Sequence, residues 1–116
     1  MTEYSLILCI VNSGFADEVM VAAREKGATG GTVFSGRGTV REEAENLFGI
    51  TVHPEKDIVM IIVKNEIKDD ILKNLYEKVG LNSDGHGIAF SLPVEEVAGL
   101  MSDDLKKKIK QSEQNN

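Results

Sequence analysis

Two apolar runs, Tyr4–Val11 and Asp57–Val63, are each followed by an amphipathic helical stripe, and this pairing constrains the fold more than any other feature. Neither run alternates apolar with polar residues, so each reads as a strand buried in the middle of a sheet. After the first run, Asn12-Ser13-Gly14 marks a turn, and Phe15, Val19, Ala22 and Ala23 recur at helical spacing over Phe15–Lys26. Asp17 and Glu18 in the first turn and Arg24 and Lys26 in the last complement the helix dipole, and Gly27 supplies a stop. After the second run, Ile67, Ile71, Leu72, Leu75 and Val79 predict a helix over Ile67–Val79, with Lys68, Asp69, Lys73 and Lys78 on its other face and Gly80 at its end.

The remaining segments complete a pattern. Ala28–Ser35, with Thr29, Thr32, Val33 and Phe34, reads as a strand in which Gly30 and Gly31 bring a backbone close. Ile88–Leu92 reads as a strand ending at Pro93, and Val94–Leu100 as a turn or short strand. Gly36–Lys56 holds three glycines, Pro54 and the charged stretch Arg41–Glu45. It is too long for an ordinary connection and reads as a functional loop, with a turn or two of helix over Glu42–Phe48. Leu81–Gly87 is a second glycine-rich loop. Beyond it, Ser102 caps an amphipathic helix over Asp103–Lys110 that frays into a polar tail. One domain over 1–101 with a tail over 102–116 follows. The order β-α-β-loop-β-α-β is the α+β, ferredoxin-like arrangement, a four-stranded antiparallel sheet with two helices on one face. Two helices cover only one side of strands that are apolar on both. The other face is expected to meet further copies of the chain in a closed oligomer.

Composition removes several classes of function. The 116 residues support one domain, and the longest apolar run, Leu6–Val11, is far short of the roughly 20 residues that span a bilayer. Glu3 precedes that run where a signal peptide would carry Lys or Arg, so a cytoplasmic protein is expected. Cys9, the single cysteine, reads as a small buried hydrophobe, and no CxxC or His pair offers a metal site. A net charge of −6 argues against nucleic acid and membrane surfaces, and Lys106–Lys108 reads as a solvated helix face. His53, His86, Ser35 and Thr39 supply possible bases and nucleophiles without a recognisable triad spacing, so no catalytic residue is expected.

Two segments, Gly27–Gly38 (GATGGTVFSGRG) and Gly85–Val97 (GHGIAFSLPVEEV), resemble the PII-like signalling proteins, especially a variant branch reading GATGGT…GRG and GxGIAF…LPV. The resemblance spans roughly residues 5–100. It implies a homotrimer with a nucleotide in each cleft between subunits. It also implies a T-loop after the second strand that engages a partner protein, often a membrane transporter or an enzyme, and a role in nitrogen regulation. By this resemblance Thr32 lies near an adenine, Gly36, Arg37 and Gly38 open the T-loop beside phosphate, and Lys56 lies at the nucleotide cleft. Gly85, His86 and Gly87 form the B-loop. Within the T-loop, Thr39, Arg41, Leu47 and Phe48 are candidate partner contacts, Leu47 and Phe48 serving either to dock a partner or to anchor the loop.

The chain also departs from that family. The phosphate-loop lysine is replaced by Ile88, Val97–Ser102 holds no basic residue, Thr39 and Val40 stand where a 2-oxoglutarate-binding glutamine is expected, and the T-loop has no tyrosine. Glycine turns leave successive N–H groups uncovered and form an anion nest. In such a nest Arg37 would donate to a phosphate in bidentate fashion and Lys56 would act as a point charge. Each charge-assisted bond contributes roughly 1.5–3 kcal/mol, so the missing cations weaken a triphosphate most. AMP or ADP is therefore expected in preference to magnesium-ATP with 2-oxoglutarate. The alternatives are a CutA-like trimer handling divalent metal and a trimer with a degenerate, non-binding cleft.

Overall fold

The computed structural model describes residues 3–39, 54–82 and 87–100. Strand β1 (Tyr4–Asn12) leads into helix α1 (Ala16–Glu25). Strand β2 (Thr32–Arg37), strand β3 (Glu55–Lys64), helix α2 (Asn65–Asn74) and strand β4 (Ile88–Val94) follow. The sheet order is β2-β3-β1-β4, with every neighbouring pair antiparallel. This is the α+β, ferredoxin-like topology expected from the sequence. Among the described residues no helix is long and apolar enough to cross a membrane.

The two-residue period of the strands sorts their side chains onto two faces. Ile7, Cys9 and Val11 of β1 and Val59, Ile61 and Val63 of β3 point toward the helices. There they form the core with Val19, Ala22 and Ala23 of α1 and with Ile71, Leu75 and Val79. The buried side chain of Asn74 ties the two helices together: its Nδ2 donates to the Ala22 carbonyl at 2.8 Å and to Glu25 Oε2 at 3.0 Å. Both protons of the amide are thereby used, which is what makes a buried asparagine tolerable. At the β3–α2 junction Ser5 Oγ bonds to Asn65 Oδ1, and Asn65 N donates to the Glu3 carbonyl at 2.9 Å.

The opposite face of the sheet is apolar and, among the described residues, uncovered. Leu6 stands between Ile62 and Leu92, Leu8 between Met60 and Phe90, and Ile10 between Ile58 and Ile88, with Phe34 beyond Ile58. Ile88 is 58% exposed, Leu92 45% and Phe34 44%. A contiguous apolar surface of this kind on a small domain marks an interaction site.

Several boundaries differ from the sequence reading. The second strand occupies Thr32–Arg37 rather than Ala28–Ser35. A Cβ at Gly31 would lie 2.8 Å from the Met60 carbonyl oxygen, so Gly31 brings two backbones together, whereas Gly30 faces open space, and the ladder begins only after them. At its other end β2 extends through Gly36 and Arg37, which pair with Lys56 and Glu55. The loop expected over Gly36–Lys56 therefore loses both ends to the sheet, because backbone pairing does not require apolar side chains. The second helix starts at Asn65, and it continues past Asn74 as a wider π-type turn over Leu75–Gly80 that keeps Leu75 and Val79 in the core. Strand β4 runs through Pro93 to Val94. It is an edge strand, where a missing N–H is tolerated. After Val94 the chain bends without forming another strand as far as residue 100. The helical turns expected over Glu42–Phe48 and Asp103–Lys110 lie outside the described residues.

Candidate functional site

One end of the sheet forms an open cleft of about 470 Å³ lined by Ser13, Ser35, Gly36, Arg37, Glu55 and Lys56. Three chain segments build it, and short polar contacts hold them. The turn after β1 is fixed to β3 twice: Ser13 N donates to the Glu55 carbonyl at 3.3 Å and Gly14 N to Asp57 Oδ2 at 2.9 Å. Gly38 N donates to the Pro54 carbonyl at 2.8 Å, closing the β2–β3 pair just before the connecting segment. Lys56 Nζ donates to Asn12 Oδ1 at 2.8 Å.

Register determines which side chains share the cleft. Gly36, Lys56 and Asn12 form one row across β2, β3 and β1 on the uncovered face. Arg37 and Glu55 form the next row and point to the helix side. A Cβ at Gly36 would lie 2.8 Å from Ile58 Cδ1, so the glycine leaves room for that side chain beside Lys56. The cleft thus combines an exposed guanidinium, a positioned ammonium, two hydroxyls and a carboxylate. The first four can hold an anion.

The structure unites some of the residues singled out from the sequence and separates others. Gly36, Arg37 and Lys56 line the cleft, and Gly38 adjoins it, a Cβ there lying 3.4 Å from Lys56 Cε. Thr39 is exposed just beyond. Thr32 pairs with Met60, four residues back along β2, and does not line the cleft. Gly87 precedes β4, and its N–H donates to the Leu81 carbonyl at 2.9 Å. It is at the same end of the sheet as Gly36 but on the opposite edge, three strand spacings or about 14 Å away. A Cβ at Gly87 would fall 1.8 Å from the Ile10 carbonyl oxygen, a position only glycine can fill. Gly85, His86, Arg41, Leu47, Phe48 and His53 lie outside the described residues. Cys9 faces the core away from the cleft, and burial pushes its thiol up to about 11.

Sequence reasoning missed Asn12, Ser13 and Glu55 as members of this site. Asn12 and Ser13 read as turn punctuation, and Glu55 as part of a charged loop. The proximity of Asn12-Ser13-Gly14 to Glu55–Asp57 arises from the antiparallel register of β1 and β3.

No protein-family model matches the chain, and no curated protein matches it by sequence. Solved structures do match. The crystal structure of Arabidopsis thaliana PII bound to citrate superposes with a TM-score of 0.67 at 23% sequence identity, over 90% of this chain and 92% of that one. A DUF3240 family protein from Shewanella baltica superposes with a TM-score of 0.64 at 14% identity, over 87% of this chain and 100% of that one. With these superpositions covering nearly the whole chain, the fold is the PII-like variant of the ferredoxin-like sandwich.

Proposed function

We propose that the chain is a PII-like regulatory protein rather than an enzyme. It acts as a homotrimer that binds a small anionic effector, an adenine nucleotide, in clefts between subunits. AMP or ADP is favoured over magnesium-ATP with 2-oxoglutarate, because among the described residues Arg37 and Lys56 are the two cations lining the cleft. The residues connecting β2 to β3 carry the response to a partner protein, a transporter or an enzyme. A ligand at their root can bias them only by its differential affinity for two states of that segment.

The observation that supports this reading is the placement of Gly36 and Gly87. Both are at one end of the sheet, Gly36 within the edge strand β2 and Gly87 just before the opposite edge strand β4. Within one chain they are too far apart to hold one phosphate. A neighbouring copy whose β4 edge approached this β2 edge would bring them together. The uncovered apolar face gives copies a reason to associate, since burying one large apolar side chain contributes roughly 1.5–3 kcal/mol.

Sedimentation equilibrium combined with thermal-shift titration tests the proposal. The expected result is a trimer whose melting temperature rises with AMP or ADP. A ligand at 100 times its Kd stabilises by about 2.7 kcal/mol, well within detection. A monomer indifferent to every adenine nucleotide would overturn it.

A further inference from the structure

We infer that Glu55 acts as a charge filter in this cleft, admitting anions with a single phosphate group and discriminating against polyphosphates and tricarboxylates. The inference rests on the anion-binding reading above and narrows it: of the two nucleotides favoured there, the filter selects AMP over ADP.

Glu55 is the first residue of β3, and its cross-strand partner is Arg37. The two residues lie on one side of the sheet at the cleft, where Cβ atoms of such a pair are about 5 Å apart. The Glu55 carbonyl accepts from Ser13 N at 3.3 Å, so its backbone is tied to the β1 turn, and its exposed side chain is part of the cleft lining. Among the described residues the lining therefore carries two cations, Arg37 and Lys56, against one carboxylate. Lys56 already donates to Asn12 Oδ1.

An ionised carboxylate offers only acceptors. It can receive a hydroxyl or amino donor from a ligand, and it repels any further phosphate or carboxylate that extends past Arg37. Like charges at such separations discriminate between partners strongly even where they add little to affinity. At this end of the sheet a monophosphate would be reached by Arg37 from the helix side and by Lys56 from the uncovered face. The second and third phosphates of a chain, or the additional carboxylates of citrate, would crowd Glu55.

Calorimetric titration of the full chain with inorganic phosphate, tripolyphosphate, citrate, AMP and ATP tests this in the wild type, Glu55→Gln, Glu55→Asp and Arg37→Ala. In Glu55→Gln, tripolyphosphate, citrate and ATP are expected to gain about tenfold in affinity relative to phosphate and AMP. Glu55→Asp is expected to retain the wild-type ratios, and Arg37→Ala to weaken every anion. If AMP and ATP fail to bind but the phosphate-to-tripolyphosphate ratio shifts in Glu55→Gln, the filter stands and the nucleotide reading falls. If anions bind and no ratio shifts, the filter is wrong and the nucleotide reading is judged on the AMP titration. If no anion binds to any variant, both are overturned.

Discussion

Lys56 Nζ donates to Asn12 Oδ1 at 2.8 Å, so the central cation of the cleft is held by the last residue of the neighbouring strand. Asn12→Asp would convert this bond into an ion pair and cancel the charge offered to a ligand. Anion affinity is expected to fall more than about tenfold with stability nearly unchanged, since partly exposed pairs contribute roughly 0–1 kcal/mol. Asn12→Ala is expected to cost about 1 kcal/mol of stability and to weaken binding only a few-fold. Chemical denaturation alongside calorimetry separates the two outcomes.

The two glycines at this end of the sheet are expected to respond very differently to alanine. At Gly36 the added methyl meets Ile58 Cδ1, the end of a side chain that can rotate away, and the cost should be near 1 kcal/mol. At Gly87 it meets the Ile10 carbonyl oxygen at 1.8 Å, and backbone must move. A loss of about 4 kcal/mol or more is expected, an exceptional value for one methyl group. Urea titration of both variants measures the difference.

Phe90→Asp places a charge on the edge strand of the uncovered sheet face, opposite Leu8. Phe90 is 38% exposed in the single chain, so the variant should keep its fold. Its charge would be desolvated only if copies packed there, and such burial is strongly unfavourable. The expected result is a folded monomer by sedimentation and circular dichroism. An unchanged oligomer would place the interface elsewhere.

The buried Cys9 thiol supplies a pH signature. Its folded value is raised from 9.0 to about 11, so its contribution to stability is complete below pH 9 and is lost as pH rises toward 11, where the unfolded chain alone is ionised. The loss should approach about 2–3 kcal/mol. Cys9→Ala, once its own cavity cost is subtracted, should flatten that part of the stability profile. Reaction of the native protein with thiol reagents should be slow and should follow unfolding.

Much of the fold was legible in one dimension because burial leaves periodic traces. The apolar runs of β1 and β3 and the stripe from Ile67 to Val79 reflect a core that the structure contains. Boundaries were legible only where side chains announced them. Glu55, Lys56, Gly36 and Arg37 look like loop residues by composition, yet they are the last rungs of a ladder held by main-chain groups. The site divides in the same way. Arg37 and Lys56 were found through a family motif and the chemistry of phosphate. Asn12, Ser13 and Glu55 belong to it through strand register, which joins residues about forty positions apart and leaves no local pattern. Gly87, which the sequence reading places in a second glycine loop, is across the full width of the sheet from Gly36.

Strand β2 hangs on a single neighbour, and its side chains are exposed on both faces apart from Gly36, which is half-buried. Its outward amide protons, like those of the other edge strand β4, are thus among the most open in the sheet to solvent isotope. Because this same strand carries Gly36 and Arg37, ligand occupancy and subunit contact would both register as slower deuterium uptake in one short peptide, a built-in gauge that needs no label.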